Sequence, residues 1–402
     1  MRAPISAILR CIAVVLFFSG VAQAGAVPVP AGQASPPASA TARAIARLPA
    51  SDAAIAEVLR EAARDDAQAS RPVACDGRHH YGIRYSVRRL QVVGGEGDLP
   101  IALNNLGIVV GYAIANGISY PVVWIGRRGF NLAAPGEING VALDINDVGK
   151  IVGSVYVEVA SREEASSWFL GRRRNLGSLG GAGTSAGARG INRSGLIVGG
   201  SGIAGGGASY AVVWDRGAPR ALPTIGGNIG GAARVSDRGF IVGASTGTDG
   251  QQHASLWRPD GSITDLGTLG GRQSWATDIN NRGTVVGYSF RSGDVDIAAV
   301  VWRSGAIAEL PGLGGTNSQA NGINEHGQIV GNASTIENRQ YGVTWFNDSP
   351  VRLDSLLDDE SQGIAVANAY AINERGQIAA VRNLSDGGSE PLLLTPRPCR
   401  RR

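Results

Sequence analysis

The sequence predicts an all-β fold, a seven-bladed β-propeller of four-stranded blades closed by the N-terminal strand, which completes the last blade. Three observations predict it. The phrase Ile279-Asn280-Asn281-Arg282-Gly283-Thr284-Val285-Val286-Gly287 returns in seven copies, whose glycines Gly107, Gly149, Gly195, Gly239, Gly283, Gly327 and Gly376 are spaced 42, 46, 44, 44, 44 and 49 residues apart. Each unit has room for four short strands, the content of one propeller blade. The first and last units are incomplete in complementary ways.

Within a unit, Asn-x-x-Gly between two apolar runs is a tight hairpin. The asparagine caps the turn and the glycine takes the positive-φ position. Before it stands a strand with alanine at one register: Ala142, Ala188, Ala232, Ala276, Ala320 and Ala369. After it, Val-Val-Gly or Ile-Val-Gly makes an apolar strand suited to a sheet covered on both faces. A third strand ends in Trp124, Trp168, Trp214, Trp257, Trp302 or Trp345, with Leu394 in that place in the last copy. One large ring per unit at a fixed register is packing. A fourth strand such as Ile263-Thr264-Asp265-Leu266 then leads to a glycine-rich crossover such as Leu269-Gly270-Gly271.

The stretch Tyr85 to Gly95 has the form of a fourth strand and crossover without the three strands that should precede them. The seventh copy ends at Pro391-Leu392-Leu393-Leu394 without a fourth strand. Joining the two leaves no long sheet edge exposed. Cys75 and Cys399 flank this seam, and a disulfide between them would fasten it. By the loop-entropy model such a cross-link is worth about 5 kcal/mol.

The phrases His253-Ala254-Ser255-Leu256-Trp257, Thr264-Asp265-Leu266-Gly267-Thr268-Leu269-Gly270-Gly271 and Asp278-Ile279-Asn280-Asn281-Arg282-Gly283 resemble the bacterial HAF repeat family, from about Tyr81 to Leu394. The His-Ala-Phe step departs to Tyr-Ala-Val at Tyr210, Tyr-Gly-Val at Tyr341 and Glu-Ala-Ser at Glu164. The resemblance implies an extracellular repeat protein with a propeller-like fold and no assigned activity.

Residues 1–24 read as a signal peptide: Arg2 and Arg10 precede an apolar run that is too short to span a bilayer, and Ala22-Gln23-Ala24 follows as the cleavage site. The expected chain is therefore secreted, periplasmic or extracellular, without a membrane span. Residues 25–74 form a Pro- and Ala-rich linker containing a short helix near 52–66, in which Ile55, Val58, Leu59 and Ala62 fall on one stripe. The propeller spans 75–399 and a basic tail 400–402. Glycine, at 59 residues, suits a turn-rich fold, and a net charge of +4 with scattered arginines argues against a nucleic-acid partner.

No catalytic set is found. There is no Gly-x-Ser-x-Gly elbow, and His253 and His326 occupy repeat positions. His79-His80 beside Cys75 lacks metal-ligand spacing. No metal site or cofactor is expected, calcium at Asp294-Val295-Asp296 being the one candidate, a fragment of a calcium loop without its glycine and glutamate. A propeller places ligands at the channel mouth, on residues that differ between blades. The position before the repeat Ile or Val holds Asp144, Gly190, Arg234, Asp278, Gly322 and Ala371, and Trp275 is the tryptophan outside the packing register. Asp144, Arg234, Trp275 and Asp278 are therefore the candidate binding residues. The expected function is a binding or interaction module for a glycan or an envelope protein. The alternatives are a carbohydrate-active hydrolase or lyase using rim carboxylates such as Asp144 and Asp278, or a structural surface protein without a specific ligand.

Overall fold

Short apolar strands punctuated by Asn-x-x-Gly turns and glycine crossovers produce a chain of up-and-down antiparallel sheets. The computed structural model describes residues 73–74, 82–134 and 137–400. Residues 1–24, expected to be a signal peptide, the stripe near 52–66, His79-His80 and Cys75 lie outside the described residues. Within them the molecule is all-β, with short 3-10 turns at Glu158–Ala160, Leu353–Leu356 and Asp359–Ser361.

Gly97–Leu103, Val109–Ala115, Ile118–Ile125 and Arg128–Asn131 make one four-stranded sheet, and Glu137–Ile145, Ile151–Val157, Arg162–Phe169 and Arg172–Asn175 a second. Two larger sheets each consist of two such four-strand units joined by a single parallel contact, Ser209 to Ile229 in one and Ile297 to Asn317 in the other. In the remaining sheet Asn368–Ile372, Ile378–Asn383 and Ser389–Arg400 are followed by Ile83–Arg89, which pairs antiparallel with Leu392 to Pro398. The N-terminal strand thus sits beside the last hairpin. Val73–Ala74 adds a short parallel pairing with Cys399 and Arg400. No disulfide joins the described residues.

The first strand of each four-strand unit lies against the first strand of the next, and Asn368–Ile372 lies against Gly97–Leu103. Between neighbouring units pack the apolar cores. The six register tryptophans are buried, as are the alanines three residues before the repeat Ile or Val. Trp124, Trp257, Trp302 and Trp345 donate their indole N–H to the carbonyls of Gln91, Pro223, Leu266 and Pro311, in the segments that enter their units, at 2.7–2.9 Å. A buried polar handle is thereby satisfied while the ring fills the wedge between sheets.

A feature absent from the sequence reading appears in every inner hairpin. The register shifts just before the residue that precedes the turn's Ile, Val or Leu, as at Ala142/Asp144, Ala232/Arg234 and Ala276/Asp278, and at Pro100/Ala102 in the first unit. Each shift is a β-bulge, which tightens the local twist and re-aims side chains. It also explains the glycine of Val-Val-Gly. A Cβ on Gly287 would stand 1.9 Å from the Trp275 carbonyl oxygen, and one on Gly243 would stand 2.0 Å from that of Gly231. The bulge, more than the alanine, is where backbones crowd.

At the matching register of the third strand, three residues face a complementary partner on the outer strand: Glu164 meets Arg173 at 2.8 Å, His253 meets Asp265 at 2.8 Å, and the Arg352 guanidinium lies 3.7 Å over the Tyr341 ring. The position is an outer bracket between strands, remote from the inner hairpins.

Candidate functional site

The inner hairpin turns converge at one end of the molecule, and the geometry of that end begins with the repeat asparagine. Its Oδ1 accepts from backbone N–H groups of its own turn, as Asn280 does from Arg282 and Thr284 at 3.1 Å each. Its Nδ2 donates to the carbonyl of the equivalent residue in the next unit. The links run from Asn104 to Asn146, Asn146 to Asn192 and Asn192 to Ser236, then from Asn280 to Asn324 and Asn324 to Asn373, at 3.0–3.2 Å. Asn373 donates to the Asn104 carbonyl at 2.9 Å, tying the last unit to the first. An amide side chain suits both tasks because its acceptor and its donor sit on separate atoms that point apart, whereas a serine hydroxyl offers both from a single oxygen with a shorter reach.

Inside these turns is a cavity of about 380 Å³. Asp144, Arg234 and Asp278 line it together, as their shared register before the turn predicts. Trp275 does not line it. Four residues back along its strand from the repeat isoleucine, Trp275 stacks on Tyr288 with ring centroids 5.1 Å apart, approaches Phe290 at 6.1 Å and donates its indole N–H to Gln252 Oε1 at 3.1 Å. The expected aromatic contribution to the rim is therefore not part of this cavity.

The bulge turns the two aspartates into braces. Asp144 accepts from Ile145 N and, across the gap between units, from Ile191 N, both at 2.9 Å. Asp278 repeats the arrangement with Ile279 N at 2.8 Å and Ile323 N at 2.9 Å. Arg234 donates to the carbonyls of Arg189 at 2.8 Å, Ala233 at 3.2 Å and Leu143 at 3.4 Å, and its positive charge favours ionisation of both aspartates. Burial nevertheless prevails: it raises the Asp144 carboxyl above its ordinary value and pushes Asp278 up to about 6.

A second set of lining residues was missed by the sequence reading, although the signal was available. The residue following the repeat asparagine or serine varies through Asn105, Asp147, Arg193, Asp237, Asn281, Glu325 and Glu374. Several of these side chains accept from the neighbouring unit's backbone. Asn105 N donates to Asp147 at 2.9 Å, Arg193 N to Asp237 at 2.8 Å, Asn281 N to Glu325 at 2.7 Å, Glu325 N to Glu374 at 3.0 Å, and Glu374 N to Asn105 at 2.9 Å. The Asp147 carboxyl is opposed by partial burial but held below its usual range by Asn105 and Arg193. Glu374 is raised, first by burial and further by the charges of Glu325 and Asp147.

The cavity is lined by six carboxylates, Asp144, Asp147, Asp237, Asp278, Glu325 and Glu374, against two guanidiniums, Arg193 and Arg234. Among the described residues no group of His, Cys, Asp and Glu is arranged to hold a metal ion. At the calcium candidate, Asp294 is engaged with the backbone and guanidinium of Arg272 at 2.7 and 2.6 Å, and Asp296 lies 3.6 Å from Arg291. Among the described residues no helix is long and apolar enough to cross a membrane.

No known protein family and no curated protein matches this chain. Among solved structures it is similar to TolB from Acinetobacter baumannii, at 12% identity and a TM-score of 0.40, over 60% of this chain and 63% of that one, so it spans less than two thirds of TolB. A putative gluconolactonase is similar at 11% identity and a TM-score of 0.39, over 83% of this chain and 99% of that one. A mutant of AofleA from Arthrobotrys oligospora, with arginines replaced by alanine, gives 9% identity and a TM-score of 0.35, over 83% of this chain and 98% of that one.

Proposed function

We propose that the protein is an exported binding module of the HAF-repeat type, a closed seven-bladed β-propeller whose acidic mouth receives a cationic group, such as a lysine or arginine side chain of an envelope protein. Closure is supported by the Asn373 to Asn104 bond and by the pairing of Ile83–Arg89 with the last hairpin. Export is supported by the signal-like residues 1–24.

One observation carries the binding reading: six carboxylates and two guanidiniums line a single concave mouth. Between the two classes of partner first considered, this lining favours a protein segment over a neutral glycan. It holds a net negative field focused by a low-dielectric wall and no aromatic platform for a sugar ring. The acid–base alternative draws little from Asp144 and Asp278, since both oxygens of each already accept backbone N–H groups.

The test is a titration with Lys- and Arg-bearing peptides and with neutral oligosaccharides at low and high salt. Peptide binding should weaken as salt rises, fall about tenfold or more in Glu325→Gln/Glu374→Gln, and stay unchanged in Trp275→Ala. Oligosaccharide binding indifferent to the glutamines but abolished by Trp275→Ala would overturn the reading.

A further inference from the structure

The tips of the inner turns around the mouth are not alike. Two residues after the repeat asparagine or serine, five units carry Ser194, Arg238, Arg282, His326 and Arg375, and the other two carry Leu106 and Val148. The turn asks for neither kind. Leu106 N donates to Asn104 Oδ1 at 3.0 Å, and Arg282 N and His326 N make the same bond to Asn280 and Asn324 at 3.1 Å, so the side chain at the tip has no part in the cap. Leu106 and Val148 nevertheless stand 59% and 64% exposed where polar residues serve elsewhere. Two adjacent apolar side chains held in water at the edge of a cavity mark a contact surface.

The two tips are adjacent and belong to the mouth. Asn105 and Asp147, which immediately precede them, both line the cavity. They bond each other twice, Asn105 N to Asp147 Oδ1 at 2.9 Å and Asn105 Nδ2 to Asp147 Oδ2 at 3.0 Å. On the other side of Asn105, Glu374 N donates to its Oδ1 at 2.9 Å. Glu374, Asn105 and Asp147 therefore follow one another along the rim. Carboxylate and apolar tip are one residue apart in the Val148 turn, about 3.8 Å between Cα atoms. Two guanidiniums close the ends of this shelf, since Arg375 donates to the Asn105 carbonyl and Arg193 to Asp147, both at 3.3 Å.

This layout constrains the guest. In an extended peptide the side chains alternate, so a residue two places from a lysine points the same way, about 7 Å along. With the ammonium in the mouth, that residue comes down on Leu106 and Val148. The acidic lining repels an anionic bilayer, and a simple cation would gain nothing from the tips.

We propose that the mouth takes a protein segment in which a bulky apolar residue stands two places from a basic one, the cation lying among the carboxylates and the apolar side chain on the shelf of Leu106 and Val148. The proposal rests on the reading of the mouth as a cation site and adds to it the chemistry of the neighbouring side chain.

Calorimetric titration of the full chain with two end-blocked peptides, Gly-Lys-Gly-Leu-Gly and Gly-Lys-Gly-Ser-Gly, tests it. The leucine peptide should bind about five- to tenfold more tightly, as partial burial of one such side chain yields. In Leu106→Ser/Val148→Ser that ratio should fall to about one, while the strand Val285–Arg291 keeps its amide exchange protection, showing that the sheets remain folded. In Glu325→Gln/Glu374→Gln both peptides should weaken and the ratio should persist. Equal affinities in the unaltered chain, or a preference that survives the double serine substitution, would overturn the shelf and leave the cationic mouth standing. Failure of both peptides to bind would remove the mouth reading and the proposal with it. Binding to uncharged phosphatidylcholine vesicles that is lost in the double serine chain would assign the tips to a lipid surface and overturn the proposal.

Discussion

The turn at Val235-Ser236 and the turn at Ile279-Asn280 have the same backbone and different reach. In both, the turn glycine donates to the carbonyl of the capping residue at 3.0 Å. In both, a side-chain oxygen accepts from the residue four positions on, Ser236 Oγ from Phe240 and Asn280 Oδ1 from Thr284, each at 3.1 Å. Asn280 then spends its amide on the Asn324 carbonyl, whereas the hydroxyl of Ser236 sends no such link to Asn280. The residue before the turn differs as well, Arg234 against Asp278. Capping a turn and tying it to the neighbouring unit are separable jobs. Serine does the first, and only the amide does both.

The largest expected effect comes from Arg234. Replacing it by methionine leaves Asp144 and Asp278 buried without their shared cation, which should destabilise the protein by about 3–5 kcal/mol at pH 7. Both carboxyl pKa values should rise further. The unfolded Asp value is near 4, so a raised folded value means the folded state holds the proton more tightly. The stability from that proton is fully present below the unfolded value and is lost as pH climbs through the folded value of about 6. Chemical denaturation of Arg234→Met should accordingly show a smaller deficit at pH 4 than at pH 7. An equal deficit at both would remove the charge argument.

Next comes Asn280→Ala, which deletes the cap and the tie together and should cost about 2–3 kcal/mol, measured as a shift in the denaturation midpoint. Asn280→Ser keeps the cap alone and should cost about 1 kcal/mol. If the two cost the same, the jobs are not separable. The smallest effect is a gain. Ser236→Asn should restore the missing tie to the Asn280 carbonyl and raise stability by about 0.5–1 kcal/mol. A neutral or destabilising outcome would show that the serine turn is set for a different spacing.

The hairpins, the buried tryptophans and the N-terminal strand beside the last hairpin were legible because each follows from a local period or a missing strand. Asp144, Arg234 and Asp278 were legible as a set because they break a repeat at one register. Trp275 was singled out by the same logic, yet it stacks on Tyr288 away from the cavity. Register alone does not say which side of a bulged strand a side chain takes. The rim of Asp147, Arg193, Asp237, Asn281, Glu325 and Glu374 varies as plainly as Asp144 does. It passed unnoticed because a polar residue in a turn reads as ordinary solvent exposure.

The sequence by itself determined the unit, its length and the residues that hold it, because hairpin capping, alternation and close-packed small residues act over a few positions. Only the tertiary structure decided that the asparagines speak to one another, that the bulge directs two aspartates onto the amides of the next unit, and that six carboxylates share one mouth. Those relations join residues 42 and 47 positions apart, as from Asn104 to Asn146 and from Asp144 to Ile191. They arise from the angle between neighbouring sheets, which no local pattern records.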